Sequence, residues 1–300
     1  MTARSAVACV VSAAMLAFSA SAFAAPAASP GPYLWTRAQL AAGGWPSGLL
    51  GDVRVQVRDP LWGSSKSFLL ADSYVGAGAR IAASPAFVEG GPRLSIAPAA
   101  FFDMDVQGSV HRYFDGGFGL LPFDSPDHKL ESERNPRASE VVPDTAWTLS
   151  ANPTLKAQVG PFVGFDSVIV EAWHVDKVAG ATAPYVYEPF RDLVIAWDDV
   201  VVEHQPAALW TPWKGDGHQR MLWVGATLRD RYALVSRDHS LTLGPMVNFR
   251  PGSRSNAVPM LVLQVLPYLV DADRVGGVPC IQGALVWKAE TPFKSAAATP

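Results

Sequence analysis

Cysteine is nearly absent from this chain: its 300 residues hold two, Cys9 and Cys280. Cys9 falls in the export leader described below, so no intramolecular disulfide braces the remainder, and stability has to come from another source. Charge is also sparse. Asp, Glu, Lys and Arg make up 17% of the residues, against about 25% in an ordinary soluble domain. Neither sign dominates: 24 Lys and Arg face 27 Asp and Glu, which leaves no electrostatic case for a nucleic-acid partner. Beyond the leader no apolar run approaches the roughly 18–20 residues of a membrane-crossing helix. The nearest is VPMLVLQVLPYLV at 258–270, broken by Pro259, Gln264 and Pro267. Heptads and helical repeats are missing, and no residue pattern calls for a cofactor or a metal. Asp124, Asp127, Glu131 and Glu133 lack the glycine and spacing of a calcium loop and read as a solvated loop. An apolar chain, 49% hydrophobic, without a spanning helix is either a soluble β-rich protein or a membrane β-barrel.

What the chain does have begins with its first residues, MTARSAVACVVSAAMLAFSASAFAA. Arg4, the apolar run 6–18 and the small-x-small triplet Ala22-Phe23-Ala24 make a cleaved secretory signal over 1–24. Cys9 lies inside the apolar run and does not mark a lipid anchor. Losing Arg4 from the 24 basic residues leaves 23 against 27 acidic, a mildly acidic mature chain. Residues 25–51 are rich in Pro, Ala and Gly and are read as a periplasmic arm with a short helix around 35–42.

From residue 52 onward, period-two alternation dominates. In FFDMDVQGSVH, 101–111, Asp103, Asp105, Gln107, Ser109 and His111 share one face, and Phe102, Met104, Val106 and Val110 share the other. Asp52, Arg54, Gln56 and Arg58 alternate with Val53, Val55 and Val57. Seven successive pairs agree over 145–159, where Thr148, Ser150, Asn152, Thr154, Lys156 and Gln158 oppose Trp147, Leu149, Ala151, Leu155 and Val159. Further strands are expected within 68–97, 162–174, 185–210, 220–235, 241–249, 258–271 and 279–288, about twelve in all, with ten as the alternative count. Residues 115–143, polar, Pro-containing and aperiodic, are a long loop. With twelve strands counted from 52, that loop falls on the same side as the termini.

Long strands favour a membrane barrel over a sandwich, since globular strands average about five or six residues. So do aromatics near strand ends (Tyr113, Trp147, Trp173, Trp210, Trp223, Trp287), read as interfacial girdles. On these features the chain resembles a bacterial outer-membrane β-barrel protein. The segment Ile281-Gln282-Gly283-Ala284-Leu285-Val286-Trp287 is similar to the assembly signal of that class, except that thirteen residues follow Trp287 where the class ends on its aromatic. The resemblance implies an all-β, antiparallel transmembrane β-barrel over 52–293, a tail at 294–300, residence in the bacterial outer membrane, and contact with outer-membrane lipids and the barrel-assembly machinery.

The lumen-facing candidates are Arg54, Arg58, Asp103, Asp105, Gln107, His111, Lys156, Gln158, Arg229 and Arg231. Asp103, Asp105, His111 and Glu171 are expected to gather as an acid cluster, and Arg54, Arg58, Lys156, Arg229 and Arg231 as a basic one, as a satisfied polar core or as the walls of a transport path for small solutes. His239-Ser240 has the composition of a hydrolase dyad, but adjacent strand residues point to opposite faces, and the pair is read as an ordinary loop-edge pair. Three functions stay open: a narrow pore or structural membrane barrel, an outer-membrane lipid-modifying enzyme of deacylase or lipase type, and a soluble secreted β-sandwich that binds a partner. The first is preferred, and no catalytic residue is assigned.

Overall fold

The computed structural model describes residues 31–44, 47–62, 73–114, 119–127, 145–177, 181–214, 221–251, 259–270 and 279–293. The leader 1–24 and the tail 294–300 lie outside them. The described residues form sixteen strands: β1 (Tyr33–Gly44), β2 (Ser47–Pro60), β3 (Tyr74–Ala83), β4 (Phe87–Ala99), β5 (Phe102–Tyr113), β6 (Leu121–Phe123), β7 (Thr145–Val159), β8 (Phe162–Val175), β9 (Tyr185–Glu188), β10 (Leu193–Ala196), β11 (Asp198–Lys214), β12 (Met221–Ala233), β13 (His239–Arg250), β14 (Met260–Leu266), β15 (Tyr268–Val270) and β16 (Cys280–Pro292). Twelve staves close one antiparallel barrel in the order β1, β2, β3, β4, β5, β7, β8, β11, β12, β13, β14, β16, and β16 pairs back onto β1 from Tyr33↔Pro292 to Gly43↔Gln282. β14 and β15, divided at Pro267, serve as one stave against β13. β6, β9 and β10 form a separate three-stranded sheet.

Residues 33–51 are therefore not an arm, and 35–42 is not a helix. Trp35, Arg37, Gln39 and Ala41 alternate with Leu34, Thr36, Ala38 and Leu40, and this strand bonds to β2 on one side and β16 on the other. Its Ala and Gly content hides the period, and backbone pairing at the seam overrides weak local propensity. The barrel starts at Tyr33, not at residue 52. The count also moves the segment after β5: its described part, 119–127, carries β6 and follows the fifth stave, so it leaves the rim opposite the termini, as does the insert that follows β8, and the rest of the loop expected at 115–143 lies outside the described residues.

Which face is wet is settled by exposure. Leu94, Leu149 and Ile81 are 54–61% exposed on the outer wall, whereas Asp52, Gln56, Glu89 and His111 are at most 2% exposed inside. A water-soluble sandwich has the reverse polarity, and each large apolar side chain kept out of water is worth about 1.5–3 kcal/mol, so this outer wall requires lipid. Trp62, Phe101, Phe162, Trp210 and Phe293 are each half exposed or more at the rim that carries the termini, and Trp147 is so at the other. Tyr113 and Trp173, expected in a girdle, are instead buried at 4% and 3% on the inner side. Trp223 shares the inward face of Thr227 and Arg229, while Trp287 faces outward opposite Ala38.

At depth the apolar belt carries ionisable groups held in His–Asp pairs. His204 Nε2 lies 2.7 Å from Asp166 Oδ1, six residues along β11 from both Asp198 at one rim and Trp210 at the other. Pairing keeps either group from standing as a lone charge in hydrocarbon. His174–Asp198 sits by the rim, and the outward pair His239–Asp230 reaches from the rim to the level of His204, the register partner of Asp230.

Four inward glycines, Gly78, Gly91, Gly225 and Gly244, let neighbouring strands bend close together. A Cβ at Gly78 would overlap the carbonyl oxygen of Val55, and one at Gly91 that of Gly108, whereas a Cβ at the outward Gly108 meets open space. Glycine in a strand interior marks such a barrel bend. Gly91→Ala is expected to cost ~1–3 kcal/mol through forced backbone movement, seen as a lower temperature for loss of the compact, heat-modifiable gel band, with Gly108→Ala unchanged.

Candidate functional site

The inward positions enclose a cavity of about 1100 Å³, at or above the roughly 300–1,000 Å³ of small-molecule pockets. Seven guanidiniums line it (Arg37, Arg54, Arg80, Arg93, Arg191, Arg229, Arg231) against five carboxylates (Asp52, Glu89, Asp105, Glu171, Glu203), an excess of two positive charges. Strand register concentrates that excess on one wall. Lys288 on β16, Arg37 on β1, Arg54 on β2 and Arg80 on β3 are successive register partners. Like charges directly opposite on a sheet destabilise it: at an effective dielectric of about 20, two unit charges about 7 Å apart repel by ~2 kcal/mol.

The carboxylates nearest the row are already engaged. Asp52 takes Arg54 at 2.8 Å and also Arg80, and Glu89 takes Arg80 together with His111 Nδ1 at 3.0 Å. Asp105 takes Arg93 at 2.5 Å and the Ser95 hydroxyl. Among the described residues Arg37 donates only to Gln39 Oε1, at 2.6 Å, and its buried Nε has no hydrogen-bond partner there. No carboxylate of the described residues lies within ion-pair distance of Arg37 or Lys288. The acids expected to gather do not: Asp103 pairs with Lys156, Asp105 with Arg93, and Glu171 with Arg191, while His111 stands 2.9 Å from Thr148 Oγ1.

The other candidates divide by depth. Arg54, Asp105, Gln107, Arg229 and Arg231 line the cavity. Arg58 is clamped between the rings of Trp35 and Tyr74, at 3.8 and 3.9 Å from their centroids, and donates to Gln56. Lys156 and Gln158 are exposed toward the rim that carries the termini. Arg231 bonds Glu203 at 3.0 Å, with Arg229 3.5 Å from the same carboxylate. Ser240 is buried on the inward face, and His239 faces outward against Asp230 at 2.8 Å, so no serine–histidine dyad forms.

At the rim opposite the termini the inner wall turns apolar and receives the insert. Phe87, Tyr113, Ala146, Trp173, Val175, Val201 and Ala233 of the staves pack with Leu120, Val186, Leu193, Ile195 and Trp197. Polar ties hold this cap. Arg191 grips Glu171 with two nitrogens at 2.6 and 2.8 Å, a bidentate geometry, and lies 4.6 Å over the Trp173 ring. Asp192, in left-handed backbone at φ 54, accepts from Tyr187 at 2.7 Å and from Tyr268. The Asp199 carboxylate accepts the amides of Ala196, Val200, Val235 and Ser236 at 2.8–3.2 Å. Burial pushes the Glu188 carboxyl above the usual carboxylate range, against the pull of Arg191.

A closed ladder, an apolar outer belt and an ion-paired interior now stand together. The chain is a closed, twelve-staved antiparallel β-barrel with the polarity of a membrane-spanning one. No family model and no curated relative matches it. Among solved structures it is similar to the β domain of the Bordetella autotransporter BrkA (9% identity over 88% of this chain and 99% of that one, TM-score 0.43). It is also similar to Pseudomonas aeruginosa OccK9 (9%, 88% and 98%, TM-score 0.24) and to Salmonella typhi OmpF in complex with daunomycin (7%, 86% and 97%, TM-score 0.28). The assignment rests on the barrel's own polarity.

Residues missed by sequence reasoning are Arg37, Arg80, Arg93, Arg191, Glu89, Glu203 and Lys288. Arg80 and Arg93 sat in visible alternation, whereas Arg37 was masked by an Ala-rich stretch and Glu203 by a β-branched run. Asp199→Ala, which leaves four amides without their acceptor, is expected to loosen the cap by ~1–3 kcal/mol, read as faster proteolysis within 181–197 while the barrel band persists.

Proposed function

We propose that this protein is a narrow outer-membrane channel for small solutes. The observation that carries the reading is the charged cavity of about 1100 Å³ inside the closed wall, since a barrel serving only as a membrane scaffold can fill its interior with side chains. Twelve staves fall between the filled eight-strand barrels and the open sixteen-strand porins, which suits a restricted path. Long loops lie outside the cell in this class, so the capped rim faces outward and the termini face the periplasm, with lipids around the belt and the barrel-assembly machinery as the route of insertion. The cap over part of the outer mouth supports slow, selective passage.

Purified barrel added to planar bilayers is expected to give discrete current steps smaller than those of a sixteen-stranded porin. A barrel that keeps its heat-modifiable gel shift and passes no current would remove the channel reading.

A further inference from the structure

We propose that the cation row Lys288–Arg37–Arg54–Arg80 is a binding site for a small organic oxyanion inside the lumen. The inference deepens the channel reading by naming a solute class and rests on it only for the route by which the anion arrives. Four consecutive strands each place a cation at one register level on the inner face. Folding alone does not favour this, because like charges directly opposite repel.

The local acids do not neutralise the row. Asp52 is shared between Arg54 and Arg80, Glu89 between Arg80 and His111, and Asp105 is held by Arg93 and Ser95. Lys288 feels further positive charge from Arg37, Arg250, Lys156 and Arg58. Arg37 lines the cavity with its Nε buried and unpartnered. A guanidinium carries five N–H donors; for Arg37 the one acceptor partner among the described residues is Gln39, and an anion's oxygen atoms take donors on the terminal nitrogens. Guanidiniums in a planar fork match carboxylate or phosphate oxygens two at a time, and the cavity has room for a small organic solute. On the opposite wall Glu171 and Glu203 are held by Arg191 and Arg231, so they add little repulsion toward an incoming anion.

The test is titration calorimetry of the full-length barrel in detergent micelles with citrate, inorganic phosphate and the polycation spermine, at constant ionic strength. Saturable heat with citrate or phosphate and none with spermine is expected, and the better anion identifies the oxygen chemistry. Arg37→Gln is expected to weaken that binding at least tenfold while melting no lower than the parent without anion, because one of four adjacent like charges has gone. Arg112→Gln, outside the lumen, should bind as the parent does. No saturable binding by the parent, or an Arg37→Gln barrel that binds equally well, overturns the proposal. Reversal potentials in a salt gradient separate the two readings. Arg37-dependent binding in a barrel that passes no current supports the site and discards the channel. Current without anion preference and without binding discards the site and keeps the channel.

Discussion

Hydrocarbon offers nothing to hydrogen-bond a peptide group, and every other feature of this molecule follows from that constraint. A sheet with a free edge is excluded from such a solvent, so the sheet must close on itself. Closure here depends on the pairing of β1 with β16, eleven register pairs from Tyr33↔Pro292 to Gly43↔Gln282. Once the ring is shut, alternate side chains are sorted into two environments: lipid outside, and a confined aqueous or ion-paired space inside. The stability that disulfides or a central apolar core supply elsewhere comes in this chain from the ladder, the lipid around it and the lumen network.

That network is organised by direction. Ion pairs link neighbouring strands and fix their side chains, as in the chain Arg54–Asp52–Arg80–Glu89–His111. Taking charges out of water is costly unless partners are close and well oriented, and most of the interior groups meet that condition. The exception stands out for the same reason: Arg37 is left with positive neighbours, the exposed Lys288 among them, on a wall where the carboxylates are already engaged. At the rim opposite the termini the balance reverses, and apolar packing around Trp173, Leu193 and Ile195 replaces ion pairing, with Asp199 tying the cap to the β12–β13 turn. The molecule thus has a stiff apolar lid above a charged chamber.

Much of the wall was legible in the residues. Asp103 to His111 on β5 and Thr148 to Gln158 on β7 alternate so cleanly that their faces follow from the two-residue period of a strand. Alternation failed where composition was uniform or function intervened. The Ala-rich β1 reads as an arm because Ala suits either environment. The 185–210 stretch conceals two insert strands and a stave because β10 is buried on both faces and shows no period. Tyr113 and Trp173 read as girdle aromatics, since a strand-end position alone does not say whether a ring turns to lipid or into the mouth. The His204–Asp166 pair, deep in the belt, is likewise invisible without knowing that β8 and β11 are neighbours.

The amino-acid sequence by itself determined the all-β class and the two-faced strands, because these depend on local periodicity and composition, and it favoured a membrane barrel over a sandwich. Only the tertiary structure decided which charges share a level. Register between strands distant in sequence sets Lys288 beside Arg37, and Arg37 beside Arg54 and Arg80, and those separations govern Coulomb energies that no local pattern encodes. It also decided that the insert turns back into the mouth, since its anchors on β8, β11, β12 and β15 lie far apart along the chain and meet only when the ring has closed.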